Sequence, residues 1–246
     1  MTRVLIVGAT STIACACARL WAAEGAHFFL MARDAAKLQH VASDLRVRGA
    51  AEVGVLTLDF NDTEKLSAAV DAAFAALGTL DVALIAHGTL SDQARCQTEL
   101  AAALQEVASN GTSYIAILTL LASRMAAARA GTLAVISSVA GDRGRASNYV
   151  YGSAKAAVSA FCEGLRMRLF HTGVQVLTIK PGPVATPMTA GMKMPAIIVA
   201  TPEKVARDIV RAVRRKTATL YTPWFWRPIM FVIRALPAAV LRRLPL

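Results

Sequence analysis

Short runs of β-branched and large apolar residues recur along this chain, each followed by an alanine-rich stretch whose apolar side chains return at helical spacing. Val4-Leu5-Ile6-Val7 leads into a helix to Glu24, Phe28-Phe29-Leu30-Met31 into one to Arg48, and Val53 to Thr57 into one to Leu77. The rhythm continues through Val82-Ala83-Leu84-Ile85 and a helical region from Thr98 to Ala128. Leu133-Ala134-Val135-Ile136, a helix from Tyr149 to Thr172, and Val174 to Ile179 follow. This alternation predicts an α/β protein, a Rossmann-type doubly wound parallel sheet with helices on both faces. Strands covered on both sides need no polar alternation, which accounts for their unbroken apolar runs. At 246 residues the chain fits a single domain. We place that domain at residues 1–221, with a basic, apolar C-terminal extension at 222–246.

The hydrophobic fraction of 55% and mean hydropathy of +0.47 raise the question of a membrane span. The longest uncharged stretches, Val107 to Ser123 and Val4 to Ala18, carry polar or glycine residues that a lipid-facing helix of roughly 20 apolar residues would exclude. The N-terminal apolar run is short and enters a glycine turn, which reads as a strand and not a signal peptide. The expected location is the cytoplasm. Cys15, Cys17, Cys96 and Cys162 lack metal-ligand or disulfide spacing, so they are read as packing residues and no metal is expected.

The first strand runs into Gly8-Ala9-Thr10-Ser11-Thr12-Ile13, a turn that presents backbone N–H groups and a helix N-terminus to a pyrophosphate. Thr12 and Ala14 stand where the usual pattern has its second and third glycines. Tyr151 and Lys155 are four apart on a helix and therefore share a face. Lowering a tyrosine from about 10 to about 7 takes roughly 4 kcal/mol, and a cation about 4 Å away at an effective dielectric near 20 supplies about that much. Ser138 follows a strand and would sit at the carboxyl edge of the sheet, where open α/β folds bind ligands. Asn110 is a polar residue inside an apolar helix, which calls for hydrogen-bond partners.

Together these residues resemble the classical short-chain dehydrogenase/reductase family over essentially residues 3 to 221. The resemblance implies that Tyr151 is the general acid, that Lys155 lowers its pKa and holds the nicotinamide ribose, that Ser138 orients the substrate carbonyl, and that Asn110 supports a water. It makes the turn Gly8, Thr10, Ser11, Thr12 and Ile13 the pyrophosphate site and sets Asp59 and Phe60 against the adenine. Ala86-His87-Gly88 stands where the family has Asn-Ala-Gly, so His87 is read as a structural residue beside the cofactor. Pro181, Gly182, Val184 and Thr186 resemble the segment that grips the carboxamide. Relatives are dimers or tetramers built through the helices around Asn110 and Tyr151, which implies a homo-oligomer.

Cofactor choice turns on Met31-Ala32-Arg33-Asp34, at the end of the second strand. Ala32 replaces the aspartate of NAD-preferring relatives and Arg33 follows it, which favours NADP. The adjacent Asp34 leaves NAD open.

Net charge is +11, and ten of the basic residues against one acid, Asp208, fall from Lys204 onward. Arg227, Arg234, Arg242 and Arg243 interrupt apolar blocks in that tail, and prolines break any long helix. Such a segment suits a peripheral contact at a membrane interface, at roughly 1 kcal/mol per basic residue, or packing on a neighbouring subunit. No recognition motif points to nucleic acid. The tail, residues 87–92 and the segment from Ser137 to Ser153 resemble a branch of the family that reduces a 2-keto-pentose carried on a polyprenyl phosphate. That branch implies a lipid-linked substrate, a partner flavin oxidase and NADH; Met188, Met192 and Met194 would form an apolar flap. A soluble carbonyl reductase, for example of 3-oxoacyl groups on a carrier protein, is the alternative reading. A non-catalytic dinucleotide sensor is a second one, against which the paired Tyr151 and Lys155 argue.

Overall fold

The computed structural model describes residues 1–191, 195–241 and 243. Its strands are β1 (Arg3–Val7), β2 (His27–Ala32), β3 (Glu52–Thr57), β4 (Val82–Ile85), β5 (Thr132–Ile136), β6 (Gln175–Pro181) and β7 (Thr219–Thr222). The helices are α1 (Thr12–Ala22), α2 (Ala35–Val47), α3 (Thr63–Leu77), α4 (Gln93–Thr98), α5 (Leu100–Val107), α6 (Ser113–Ala128), α7 (Tyr149–Arg168), α8 (Pro202–Arg214), α9 (Trp226–Ala235) and α10 (Ala238–Leu241). The strands form one parallel sheet in the order β3-β2-β1-β4-β5-β6-β7. Chain order reverses between β1 and β4, and an open α/β sheet has its crevice at the carboxyl ends of such a pair. Val7 is level with both Met31 and Ile85, so the segments leaving β1, β2 and β4 emerge side by side.

Each strand divides its side chains between two cores. Val4 and Ile6 of β1 pack with residues of α1, α2 and α8, whereas Leu5 and Val7 pack with α3, α6 and α7 on the opposite face. Both sets are fully buried. This is the doubly wound parallel sheet that the alternation predicts.

Several elements lie outside those expectations. The region Thr98–Ala128 is not one helix: α4 ends at Thr98, and α5 joins α6 through a π-helical turn at Ala108–Thr112 that contains Asn110. By length and composition the joined segment Leu100–Ala128 could cross a membrane, yet Ile117, Leu118 and Leu121 within it are fully buried against the sheet. α8 overlaps the basic stretch that begins at Lys204, where no helix is expected; Thr201 caps it by accepting from Lys204 N at 3.2 Å and Pro202 occupies its first turn. The 221/222 boundary falls within β7, and Thr222 donates to Asp208 Oδ2 at 2.9 Å.

Residues of the extension fold back onto the domain. Trp226 and Met230 of α9 are buried with Val139 in a third, small cluster. A Cβ on Gly182 would stand 1.9 Å from Trp226 Nε1, so a side chain at 182 would displace the indole. Arg143 donates to Leu236 O at 3.3 Å. α9 thereby buttresses the segment that follows β5. We expect Trp226→Ala to lower stability by about 3 kcal/mol, seen as a lower urea midpoint at unchanged slope.

Candidate active site

β1 passes to α1 through a turn that only glycine can begin. Gly8 has φ +86°, and a Cβ there would lie 2.4 Å from His87 N, so the turns after β1 and β4 touch. α1 has no side-chain cap at Ser11, which leaves its first N–H groups and the positive end of its dipole for an anion. Thr12 stands on the cleft wall and Ala14 is buried in the core.

That wall belongs to a cleft of about 800 Å³, at the upper end of the usual range for a ligand site. Gly8, Thr10, Ser11, Thr12 and Ile13 line it from the first turn, and Arg33 from the end of β2. Asp59 and Phe60 enter after β3, Ala86, His87 and Gly88 after β4, and Thr186 after β6. Pro181, Gly182 and Val184 are not among its lining residues: Pro181 ends β6, Gly182 N–H bonds Thr222 O at 3.0 Å, and Val184 is bridged to Ala200 in the core. Met188 lines the cleft, while Met192 and Met194 lie outside the described residues. The cleft also takes in Lys37, Asn61, Thr89 and Ser109, which the sequence reading did not single out.

The residues fit a nicotinamide dinucleotide, NADP or NAD. Asn61 donates to Ser109 Oγ at 3.1 Å, but its Oδ1 is a buried acceptor without a partner among the described residues, beside Asp59 and Phe60 where an adenine amine would satisfy it. At the end of β2 the charges divide by duty. Asp34 caps α2, accepting from Lys37 N at 3.0 Å, and pairs with Lys37 Nζ at 3.3 Å; the backbone hydrogen bond, foremost, holds its carboxyl below the ordinary range. The Asp34 carboxylate is thus engaged by its own helix, and Arg33 stands exposed on the cleft.

Deeper in, four further groups converge. Gly88 has φ +147°, and a Cβ on it would lie 2.5 Å from Asn110 Oδ1 and 3.8 Å from Lys155 Nζ, so Asn110 and Lys155 abut the cleft through Gly88, although Asn110, Ser138, Tyr151 and Lys155 are not themselves among its lining residues. Asn110 Oδ1 accepts from Thr89 N at 3.2 Å. Ser138 Oγ accepts from Ala140 N at 3.1 Å and neighbours Tyr151, whose phenol lies on the same side of α7 as Lys155. Lys155 Nζ donates to Ile136 O at 3.2 Å and stands 4.1 Å from the Tyr114 ring centroid but 5.8 Å from that of Tyr151. Tyr149, the first residue of α7, is substantially exposed.

The electrostatics differ from the simple pair estimate. Burial pushes Tyr151 up to about 12, only partly offset by the neighbouring Ser138 hydroxyl, and burial draws Lys155 down to about 7. Desolvation dominates both groups, and the ammonium is turned to Tyr114 and the Ile136 carbonyl. His87 is stacked on Tyr114 at 4.2 Å and tilted against Phe60 at 4.7 Å, and its Nε2 is 2.9 Å from Ser113 Oγ. Burial, then Lys155 and Arg33, hold it well below the ordinary histidine range, so it is neutral. Two groups that sequence reading missed secure this arrangement. Ser137 Oγ donates to Lys155 O at 3.0 Å, and Glu106, a buried carboxylate, accepts from Asn110 Nδ2 at 2.9 Å.

Residues 2–195 match the family described as short chain dehydrogenase. The chain is 41% identical over 242 residues to an uncharacterized oxidoreductase of Mycobacterium tuberculosis, spanning 98% of this chain and 96% of that one. It is 28% identical over 218 residues to the ketoacyl reductase HetN of Nostoc, spanning 87% of this chain and 76% of that one. Among solved structures, a variant of the actinorhodin polyketide ketoreductase with NADPH superposes with a TM-score of 0.80 at 24% identity, covering 90% of this chain and 95% of that one; the likeness is of fold.

The Lys155 shift carries a sign for stability. Between pH about 7 and its ordinary 10.5, the unfolded chain holds a proton that the folded protein has released, so this group stabilises the fold as pH rises and loses that contribution as pH falls. We expect wild type to gain about 2 kcal/mol over Lys155→Met between pH about 7 and about 9 in urea unfolding.

Proposed function

The chain belongs to the short chain dehydrogenase family and is an oxidoreductase, and on that premise we propose that it uses NADPH to reduce a ketone to a secondary alcohol. The observation that carries this reading is the cluster of Asn110, Ser138, Tyr151 and Lys155, which adjoins the dinucleotide-sized cleft through Gly88. When bound, the dinucleotide supplies the hydride that adds to the carbonyl carbon. Tyr151 gives its hydroxyl proton to the carbonyl oxygen; burial keeps that proton in place at neutral pH. Ser138, accepting from Ala140 N, has its own hydroxyl proton free to hold the same oxygen. Lys155 places positive charge near the developing alkoxide, and Asn110 would support a water that returns the proton to the site.

For the cofactor, Arg33 and Lys37 favour the 2′-phosphate of NADPH, since Asp34 is engaged as a helix cap. For the substrate, we favour a ketone on a long apolar chain, in particular decaprenylphosphoryl-2-keto-ribose, as the reductive half of ribose-to-arabinose epimerisation with a flavin oxidase as partner. Support comes from exposed apolar residues, Met188 at the cleft, Ile197, Trp224 just before α9 and Phe231 on it, together with the exposed Arg227 and Arg234. Those arginines suit anionic lipid, which would hold the protein at the cytoplasmic face of the membrane. Exposed Leu100, Leu104, Met167 and Phe170 on and beside α5 and α7 supply a surface for self-association. A 3-oxoacyl substrate is the second reading, favoured by the likeness to HetN.

Tyr151→Phe is expected to lower turnover of the ketone at least about 100-fold with cofactor affinity retained; wild-type turnover would refute the assignment. Arg33→Ala is expected to raise the KM for NADPH about tenfold or more and leave that for NADH nearly unchanged, measured by initial rates with each cofactor.

A further inference from the structure

The mechanism above uses no carboxylate, yet one is buried beside it. Glu106 lies in the last turn of α5, four residues before Asn110, and is 1% exposed. Its Oε1 accepts from Asn110 Nδ2 at 2.9 Å. Its Oε2 accepts from Thr89 Oγ1 at 2.8 Å, from Ser91 N at 3.2 Å and from the Ser91 hydroxyl. Every one of these donors is a neutral group. Asn110 Nδ2 also reaches Thr89 Oγ1 at 3.0 Å and Glu106 O at 3.2 Å. Because Asn110 Oδ1 and Lys155 Nζ meet at the same face of Gly88, the carboxylate, the amide and the ammonium form a consecutive row.

We propose that Glu106 is a positioning residue of the catalytic centre, whose buried carboxylate fixes the orientation of Asn110 and acts as the counter-charge of Lys155. The proposal rests on the reading of Tyr151 and Lys155 as the reducing pair. An ionised carboxylate can only accept hydrogen bonds, so Asn110 must turn its Nδ2 toward Glu106 and its Oδ1 toward Thr89 N. That choice decides which atom of the amide abuts Gly88. A charge buried without a cation bonded to it is costly, and a site retains one where the charge has an electrostatic duty.

The duty concerns both members of the pair. Lys155 is faced by Glu106 from α5, Tyr114 from α6, Cys162 and Tyr151 from its own helix, and the neutral His87 after β4. Of these, Glu106 is the principal group that supports its charged form, against burial. Tyr151 is faced by Ser138, Tyr114 and Glu106, and the carboxylate disfavours its phenolate. Glu106 therefore keeps a proton on both reducing groups to higher pH.

The test is a titration of Lys155, followed by NMR of its side chain and assigned through Lys155→Met, in wild type, Glu106→Gln and Ser91→Ala. It is run beside the pH profile of kcat/KM with NADPH and the ketone. Glu106→Gln is expected to move the Lys155 titration and the alkaline limb of the profile to lower pH by about one unit, a loss of up to about tenfold in rate on that limb. Ser91→Ala keeps the charge and is expected to leave both midpoints in place. If Glu106→Gln does not fold, Glu106→Met removes the same charge without adding a donor and is expected to shift both in the same direction. A Lys155 midpoint unchanged without the carboxylate, or a rate loss equal at every pH, overturns the proposal. Tyr151→Phe separates the two levels: full activity in that variant refutes the reducing pair itself, whereas an inactive Tyr151→Phe with an unmoved Lys155 refutes only the role of Glu106.

Discussion

The docking of α7 onto the carboxyl end of β5 is the constraint on which the site depends. Ser137, the residue after β5, donates through Oγ to Lys155 O, and Lys155 returns a bond from Nζ to Ile136 O. The next turn closes equally tightly, since a Cβ on Gly141 would stand 2.7 Å from Lys155 C. These contacts fix the first turns of α7 against the strand end and bring Tyr151 beside Ser138, thirteen residues earlier in the chain. α9 reinforces the same segment from outside through Trp226, Met230 and Val139. A tail that reads as an appendage thereby bears on the geometry of the candidate catalytic serine.

Burial governs the chemistry of the pair more than proximity does. A cation at about 4 Å can supply the energy that lowers a tyrosine pKa, but the ammonium of Lys155 is closer to Tyr114 than to Tyr151, and both reducing groups lie out of water. The outcome is a protonated phenol and a lysine that titrates near neutrality. A phenol that holds its proton is suited to giving it to an alkoxide, the direction a reduction requires. Glu106 and Asn110 set the remaining electrostatic balance from beside Lys155 at Gly88.

Much of this was legible in the sequence, for identifiable reasons. The β1 to β6 runs are continuous because both faces of a parallel sheet are covered, and the Tyr151 and Lys155 spacing follows directly from helical geometry. Gly8 was visible as a turn residue, but the contact with His87 that makes it irreplaceable joins two distant turns. Glu106 was unreadable as buried: one charged residue in an alanine-rich stretch looks like a solvated helix position. The π-helical turn that follows it carries no sequence mark. α8 and α9 were obscured because their arginines dominate the composition of the tail, although the helix-capping Thr201-Pro202 was there to be seen. Asp34 shows the reverse case, a residue whose role at the cleft could not be separated from its role as a cap until α2 was placed.

The central claim, that this centre delivers a proton and a hydride to a ketone, is tested most directly by following label. The protein is incubated with NADPH carrying deuterium at both positions of nicotinamide C4 and with decaprenylphosphoryl-2-keto-ribose or a 3-oxoacyl thioester, and the products are analysed by mass spectrometry. The account predicts an alcohol that carries a single deuterium on the former carbonyl carbon. Cofactor oxidation without deuterium in the product, or no turnover of either ketone by folded protein that binds NADPH, would contradict it.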